Sequence, residues 1–299
     1  MKRVLVTGAS GWIGQHCLAP LEARGFETVC LSHAFPGEAG RQWLKADLLT
    51  EEGRARAVEA AQATHLLHLA WYVHPAQYRE SPANLDWLNA SADLFERFAR
   101  SGGRRITGIG SCLEYDWANG WCHEDRASPS PTTLYGRAKA ELSRSLAEIA
   151  DKTGISTTWA RIFYAFGPGE APQRLIPLVV RSLLQKQSID CSHGRQFRDF
   201  LYVEDMADAL AALIDSPVSG SVNIASGRPI QLRDLLGRFG KKLQGMDLIR
   251  FGRRQVTGED AEPLLAGDVK RLSTEVNWRP TIGMEAGIDR TIDWWKSRA

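Results

Sequence analysis

The sequence predicts an α/β fold: a doubly wound parallel sheet followed by a smaller mixed α/β lobe. Two observations predict it. Buried, β-rich runs alternate with helical patterns through the first half of the chain, and this pattern loosens after Gly167-Pro168-Gly169. Such alternation, with strands apolar on both faces, is typical of parallel sheets covered by helices. We assign residues 1–167 to a first domain, to which residues 198–224 return, and residues 168–197 and 225–299 to the second lobe.

Five strands and the helices between them carry this prediction. The strands are rich in β-branched and aliphatic residues and are predicted at 3–7, 27–32, 65–70, 104–110 and 156–163. Helical patterns follow them from about Gly11, over 51–61, over 85–100 and around Tyr135.

Composition limits the classes of function. A chain of 299 residues with 43% hydrophobic residues can bury one large or two modest cores. Its formal net charge of +2 is scattered along the chain, so we expect no nucleic-acid partner. The five cysteines are irregularly spaced with no CxxC pair, which favours a reducing compartment and argues against a disulfide or metal framework. With no signal peptide or membrane-length apolar run visible, we expect a cytoplasmic protein with no membrane partner.

A glycine-rich turn follows the first strand. Gly8, Gly11 and Gly14 recur every third position in TGASGWIG, at the junction of a strand and a helix. Here the backbone N–H groups and the positive helix N-terminus can approach a pyrophosphate without interference from side chains. The alternative is a tight turn with helix-packing glycines. The strand before it and the helix after it favour a dinucleotide site.

Three further residues have the chemistry that a dinucleotide-dependent redox reaction needs. Tyr135 and Lys139 lie one helical turn apart, so they share a face. A tyrosine has an ordinary pKa near ~10, and a nearby ammonium group is expected to lower it. Ser111 lies at the carboxyl end of the fourth strand, where open α/β sheets bind ligands. The alternatives are a surface tyrosine–lysine pair and a serine that caps a loop.

Several ordered motifs resemble one family. TGASGWIG, HLAW, the Ser111 region, YGRAK, RIFYAFGPGE and RDFLYVEDMADAL occur in this order over nearly the whole chain. Together they resemble the extended short-chain dehydrogenase/reductase family, in its NAD-dependent epimerase/dehydratase branch that modifies nucleotide sugars. The resemblance implies a Rossmann-like first domain, a C-terminal lobe that binds a nucleoside-diphosphate sugar, and a homodimer formed through a four-helix bundle.

The resemblance also implies roles for individual residues. Ser111, Tyr135 and Lys139 match the catalytic triad. The predicted cofactor contacts are Gly8, Ser10, Gly11, Trp12, Ile13, Gly14, Ser32, His33, Asp47, Leu48, Leu69, Ala70, Trp71, Tyr135, Lys139 and Ile162. The predicted substrate contacts are Tyr72, His74, Cys112, Tyr164, Arg174 and Arg198.

Departures from the family pattern narrow the chemistry. Dehydratases that resemble this chain carry Asp and Glu directly after the catalytic hydroxyl, whereas Cys112 and Leu113 stand there, and neither can serve as their acid and base. Glu114 stands where the family has an apolar residue, so we leave it outside the site. Two reactions remain: reduction of the C4 ketone of a nucleotide-activated 4-keto-6-deoxyhexose, and 4-epimerisation of a nucleotide sugar with tightly bound NAD. A non-catalytic redox sensor is a third reading, disfavoured because the triad is complete.

The end of the second strand favours NADP(H) over NAD(H). NAD-preferring relatives end it with an acidic residue that binds the ribose hydroxyls. Here Ser32 and His33 occupy that place and Arg41 follows, so no fixed negative charge opposes a 2′-phosphate. A carboxylate from Glu38 that folds back is the alternative. NADP(H) in turn favours the reductase.

Overall fold

The structure is a computed structural model that describes residues 2–34, 40–75, 77–125, 130–256 and 261–298. Its strands, in chain order, are β1 (Lys2–Thr7), β2 (Phe26–Ser32), β3 (Gln42–Lys45), β4 (His65–His68), β5 (Arg105–Ser111), β6 (Trp121–Cys122), β7 (Ser156–Ile162), β8 (Tyr164–Phe166), β9 (Ile189–Asp190), β10 (Phe197–Arg198), β11 (Phe200–Tyr202), β12 (Gly220–Ile224), β13 (Ile230–Gln231), β14 (Ile249–Arg250) and β15 (Leu264–Gly267). Its α-helices are α1 (Trp12–Ala23), α2 (Glu51–Ala61), α3 (Ala83–Arg100), α4 (Leu134–Thr153), α5 (Leu175–Leu184), α6 (Val203–Asp215), α7 (Leu232–Lys242), α8 (Lys270–Thr274) and α9 (Met284–Lys296).

A parallel sheet forms the main body of the fold. Within the described ranges it has seven strands in the order β3-β2-β1-β4-β5-β7-β12. The strand order reverses beside β1, and ligands of doubly wound folds bind at such a switch point. This confirms the predicted Rossmann-like fold class.

Helices cover both faces of the sheet because its strands are apolar on both sides. Helices α2, α3 and α4 bury one face, and α1 and α6 bury the other. The last residues of β5 and β7, Ser111 and Ile162, are paired neighbours, and they lie at the edge where the carboxyl ends of the parallel strands meet. This edge is where the site residues come together.

The C-terminal part of the chain adds a smaller layer. Helices α5, α7 and α9 enclose a separate apolar core, and short strand pairs such as β8–β11 and β9–β14 lie around it. Asp205, at the start of α6, accepts hydrogen bonds from the backbone N–H groups of Thr281 and Ile282 at 3.1 and 2.9 Å. These bonds tie the start of α6 to the segment before α9.

The structure adds elements that the sequence pattern did not reveal. Strand β3 extends the sheet beyond β2, and β12 forms the opposite edge beside β7. The predicted strand over 65–70 ends at His68 in the structure. How the chain divides into domains stays a prediction.

Gly14 tests how tightly the glycine turn packs. A Cβ at this position would collide with the carbonyl oxygen of Gly8 and lie 2.9 Å from the Cα of Ala9. We expect Gly14→Ala to lower the free energy of unfolding by about 1–3 kcal/mol, as overpacking does. Urea unfolding followed by circular dichroism measures this change.

Gly237, within α7, provides the matched control. A Cβ there would meet only the end of Met246, at 3.7 Å, which is an ordinary contact. Gly237→Ala should therefore leave stability unchanged or raise it by up to about 1 kcal/mol, since alanine favours the helix. Equal effects of the two substitutions would contradict a close approach at Gly14.

Candidate active site

A cleft of about 730 Å³ lies at the carboxyl edge of the sheet, between the sheet and the C-terminal helices. It is lined by Gly8, Gly11, Trp12, Ile13, Gly14, Leu69, Ala70, Trp71, Ser111, Cys112, Tyr135, Lys139, Ile162, Tyr164, Arg174 and Arg198, among other residues. The structure thus brings together the predicted triad, the glycine turn and both predicted arginines. The roles of these residues stay predictions.

The glycine turn forms a narrow backbone cradle. Gly8 has φ +67°, and a Cβ on it would come within 2.8 Å of the backbone nitrogen of Ala70. The N-terminus of α1 follows directly, and Gly11 before it provides no side-chain cap. Backbone N–H groups therefore face the cleft at the positive end of a helix, which is the arrangement that binds a pyrophosphate. These residues fit the cofactor that the sequence predicts.

Ser111 ends β5 and faces the hydroxyl of Tyr135. Its Oγ accepts a hydrogen bond from the backbone N–H of Leu113 at 3.2 Å, so it also caps the short turn that follows. A hydrogen bond with Ser111 acts on the Tyr135 hydroxyl and favours the phenolate. The serine therefore caps the turn and also lies within hydrogen-bonding distance of Tyr135, and its catalytic role stays a prediction.

The polypeptide alone does not lower the pKa of Tyr135, contrary to our expectation. Burial raises the pKa of this phenol, and this effect outweighs the hydrogen bond from Ser111. Burial lowers the pKa of Lys139 to about 7, so its positive charge is weakened. Lys139 Nζ donates to the carbonyl oxygen of Ile109 at 2.8 Å and lies 3.7 Å from the centre of the Trp71 ring. Trp71 thus holds the lysine, a contact that the sequence did not predict.

A buried ion pair supports Ser111 from behind. Glu114 is fully buried, and its carboxylate accepts hydrogen bonds from the Ser111 N–H at 2.7 Å and from Arg161 Nε at 2.9 Å. Arg161 also donates to the Tyr115 hydroxyl at 3.0 Å, which in turn donates to Asn223 at 2.8 Å. This chain of contacts links the end of β5 to β7 and β12. Leaving Glu114 out of the catalytic set agrees with this geometry.

The predicted adenosine end of the cofactor site lies beyond the cleft. Ser10 and Ser32 share a hydrogen bond of 2.9 Å, and His33 is exposed. Asp47 accepts from the backbone N–H of Leu49 at 2.9 Å, and Leu48 is buried in the core.

The cation that we expected to face a 2′-phosphate has a partner of its own. Arg41 donates to both carboxylate oxygens of Glu22, at 2.7 and 3.1 Å. This ion pair offsets the positive charge on which the NADP(H) expectation depends. The alternative contact, Glu38, lies outside the described residues.

Two predicted substrate contacts do not line the cleft. Tyr72 directs its hydroxyl to Gln77, at 2.9 Å, and His74 is exposed. Trp71 and Val73 line the cleft instead, because alternate residues of an extended segment face opposite sides. Tyr72 and His74 thus lie outside the lining of the cleft in this structure, and their role as substrate contacts stays a prediction.

The remaining predicted substrate contacts do line the cleft. Arg198 is buried and donates to the backbone carbonyls of Phe197 and Glu262, at 2.8 and 3.0 Å. Arg174 lies 5.5 Å from the centre of the Tyr78 ring. Burial raises the pKa of the Cys112 thiol and so disfavours the nucleophilic thiolate. Cys112 therefore lines the cleft as an uncharged thiol.

Three residues of the cleft escaped the sequence analysis. Tyr78 packs edge-on against the Tyr135 ring, with 5.0 Å between ring centres. Glu170 and Gln196 each bury a side-chain oxygen that has no hydrogen-bond partner among the described residues. Tyr78 and Gln196 lie outside the motifs of the sequence, and Glu170 ends the motif RIFYAFGPGE without a predicted role, so only the tertiary structure reveals their place in the cleft.

Two kinds of feature are absent from the part of the chain that the structure describes. It contains no group of three or more histidine, cysteine, aspartate or glutamate side chains placed to hold a metal ion. None of the described helices is long and apolar enough to cross a membrane.

The Glu114–Arg161 pair gives a prediction about stability. Glu114→Gln leaves the buried guanidinium without its counter-charge, which we expect to cost about 3–5 kcal/mol of unfolding free energy. Glu285→Gln is the control, because Glu285 pairs with Arg238 on the surface and such pairs contribute ~0–1 kcal/mol. Chemical unfolding of both variants measures the difference. Similar stabilities would contradict a supporting role for the buried pair.

Known proteins resemble this chain along its whole length. It is 25% identical over 310 residues to dTDP-4-dehydro-6-deoxyglucose reductase of Escherichia coli, covering 97% of this chain and 96% of the relative. It is 23% identical to CDP-abequose synthase of Salmonella typhimurium, covering 97% of each. Among solved structures, UDP-glucose 4-epimerase of Thermotoga maritima with UDP-glucose superposes with a TM-score of 0.89 at 19% identity, over 99% of both chains. The last likeness concerns the fold alone.

The family follows from a match to a family model over more than half of the chain. Residues 4–225 match the NAD dependent epimerase/dehydratase family, and this range contains the glycine turn and all three triad residues. The chain therefore belongs to the NAD-dependent epimerase/dehydratase family, whose members are nucleotide-sugar epimerases, dehydratases and reductases.

Proposed function

We propose that this protein is an NAD(P)-dependent oxidoreductase that reduces the C4 ketone of a nucleoside-diphosphate 4-keto-6-deoxyhexose. The observation that carries this proposal is the cleft, where Ser111, Tyr135 and Lys139 lie beside the glycine turn. The likeness to the E. coli reductase over nearly its full length supports the reaction class.

Tyr135 is the proton donor in this proposal. Its raised pKa keeps the phenol protonated, and a protonated phenol is the form that can give a proton to a ketone oxygen. Ser111 orients that oxygen through its hydroxyl. Lys139, held by Trp71 and the Ile109 carbonyl, stabilises the phenolate that remains after transfer. The bound nicotinamide supplies the hydride.

The cleft lacks the groups that water elimination would need beside the triad. Cys112 and Leu113 follow Ser111, and both are buried. The next carboxylate, Glu114, is committed to Arg161 and to the backbone of Ser111. Reduction needs only one proton donor and hydride, so it fits these residues better than dehydration does.

Two parts of the cleft would hold the ligands. The turn from Gly8 to Gly14 offers backbone N–H groups to the cofactor pyrophosphate. Arg174 and Arg198 would bind the diphosphate of the sugar nucleotide, because guanidinium groups pair with phosphate oxygens. In this proposal the hexose lies between them, next to Tyr135.

A 4-epimerase with tightly bound NAD is the second candidate. The ion pair between Arg41 and Glu22 favours it, since Arg41 already has a counter-charge and is less suited to a 2′-phosphate. Epimerisation uses the same triad and returns the hydride to the same carbon.

The proposal includes a homodimer. Helices α3 and α4 pack against each other, and α3 presents Leu85 with 48% of its surface exposed, followed by the partly buried Trp87 and Leu88. Together with the same helices of a second copy, these faces would form a four-helix bundle.

The cofactor content of the purified protein separates the two candidates. We expect denaturation to release little cofactor, and the protein to bind NADPH more tightly than NADH in a tryptophan-fluorescence titration. Arg41→Gln should weaken NADPH binding about tenfold, for loss of one charge-assisted contact, and leave NADH binding unchanged. Release of stoichiometric NAD⁺ would overturn the reductase and support the epimerase.

Removal of the Tyr135 hydroxyl tests the chemistry. Tyr135→Phe should lower kcat about 10²–10⁴-fold, because it deletes the general acid. Tyr72→Phe is the matched control, since its hydroxyl binds Gln77 outside the cleft, and its turnover should stay near wild type. The assay measures the reduction of nucleotide-activated 4-keto-6-deoxy sugars, which is monitored as a decrease in NADPH absorbance. If the wild-type protein binds cofactor but shows no Tyr135-dependent reaction, the result would favour a non-catalytic redox sensor.

A further inference from the structure

We propose that Glu170 donates a hydrogen bond, as a neutral carboxylic acid, to a phosphate oxygen of a nucleotide bound in the cleft, and thereby makes nucleotide affinity pH-dependent. The inference rests on the proposed function, because it requires a nucleotide in this cleft. It assigns a ligand contact to Glu170, which ends the motif RIFYAFGPGE and for which the resemblance implied no role.

The position of Glu170 is fixed by a turn that packs against the glycine turn. Trp12 Nε1 donates to the carbonyl oxygen of Pro168 at 2.7 Å. Gly169 follows with φ +79°, and a Cβ there would lie 3.3 Å from Cδ1 of Trp12. Glu170 comes next and Arg174 lies at the start of α5, so the carboxyl group lines the cleft between the glycine turn and this arginine.

The carboxyl group is buried and incompletely satisfied. Only 7% of the Glu170 surface is exposed, and Oε2 has no hydrogen-bond partner in the part of the chain that the structure describes. Buried polar atoms normally have a partner, so an exception in a ligand cleft points to a group that arrives with the ligand.

Burial also decides the protonation state. It raises the pKa of Glu170 to about 8, and the positive charge of Arg174 opposes this rise only in part. At neutral pH the side chain is therefore an acid with a proton to donate. Lys139, Tyr135 and Arg198 line the same cleft, and Lys139 has a pKa near 7, so it titrates in a neighbouring range.

The surroundings of Glu170 point to phosphate as the acceptor. The turn that carries Glu170 contacts Trp12 at the N-terminus of α1, which suits a pyrophosphate, and the positive charge of Arg174 acts on the carboxyl group. A carboxylate at this place would repel an anion, whereas a neutral acid donates to it. The phosphate could belong to the cofactor or to the sugar nucleotide, and the two sources are separated by experiment.

Calorimetric titration of the full-length protein tests the inference at pH 6, 7, 8 and 9. NAD⁺, NADP⁺, UDP-glucose and dTDP-glucose are the probes, each with wild type, Glu170→Gln and Glu170→Ala. One pH unit above the pKa leaves about a tenth of the acid protonated, so we expect wild-type affinity for one class of probe to fall about tenfold between pH 7 and pH 9. Glu170→Gln, which keeps a neutral donor, should lose much less over this range. Glu170→Ala should bind that class more weakly than wild type at pH 6 and pH 7, and this difference should disappear at pH 9, where the wild-type side chain is mostly a carboxylate.

Thermal unfolding without nucleotide checks the protonation state independently. A raised pKa means that the folded chain keeps a proton between the ordinary value of 4.5 and about 8, which the unfolded chain has lost. Wild-type stability contributed by this group therefore falls as pH rises through that window. The melting temperature of Glu170→Gln relative to wild type should increase from pH 5 to pH 9, and this scan also shows that the variant folds.

The outcomes separate the two proposals. Lys139 and the nucleotides titrate in the same way in experiments with wild type and with Glu170→Gln. The difference in pH dependence between these two proteins therefore reports on Glu170. Equal pH dependence of the two proteins, or a constant melting difference, overturns the inference while nucleotide binding by wild type upholds the proposed function. A fall in kcat of Glu170→Gln with unchanged affinities also overturns it and places Glu170 in the chemical step. Failure of wild type to bind any of the four probes overturns both proposals.

Discussion

The buried ion pair between Glu114 and Arg161 is the interaction on which the carboxyl edge of the sheet depends. A fully buried carboxylate is tolerated only when charge and hydrogen bonds compensate its lost hydration, and here the guanidinium and the Ser111 N–H do so. Because Arg161 also reaches Tyr115, which binds Asn223, the compensation spans three strands. The hydrogen bond from the Ser111 N–H to the Glu114 carboxylate thus holds Ser111 in place, whereas in a flexible loop its hydroxyl would move relative to Tyr135.

Desolvation dominates the titratable groups of the cleft. It raises the pKa values of Tyr135 and Glu170 and lowers that of Lys139, so each group is shifted toward its neutral form. Below pH 7 the buried Lys139 is charged, and it then lowers the stability of the fold by its full amount. This loss of stability decreases as the pH rises from 7 toward 10.5, the ordinary pKa of lysine. Glu170 has the opposite sign, since its cost grows from pH 4.5 to about 8. Between pH 7 and about 8 the pH dependences of these two costs have opposite signs and partly cancel, so single variants are needed to resolve either one.

Local pattern predicted much of the fold, and several of the predicted site residues meet in one cleft. The strands, the helix over 51–61 and the glycine turn were readable because apolar periodicity and glycine spacing are properties of neighbouring residues. Glu114 was left outside the site because of the family pattern, but its pairing with Arg161 could not be predicted, since the two residues are distant in sequence and only the sheet brings them together. Tyr72 was predicted as a substrate contact because it follows the third strand, and the sequence does not say which residues of an extended segment face the cleft. Glu170 ends one of the motifs, but no role was predicted for it, because its burial and its place in the cleft are properties of the tertiary structure.

The fold fixes where hydride chemistry can occur, and the cleft wall determines which reaction follows. Relatives that share this fold include reductases, epimerases and dehydratases, so the sheet and the glycine turn do not distinguish among them. What sets this chain apart from the pattern of related dehydratases is the pair of residues after Ser111: Leu113 has no proton to exchange, and the buried thiol of Cys112 is a poor acid and base. The proposed phosphate contact, Glu170, comes from the turn before α5 and not from this segment. In the proposed function, Tyr135 donates the one proton that hydride addition to a ketone requires, and neither Cys112 nor Leu113 supplies the acid and base of elimination.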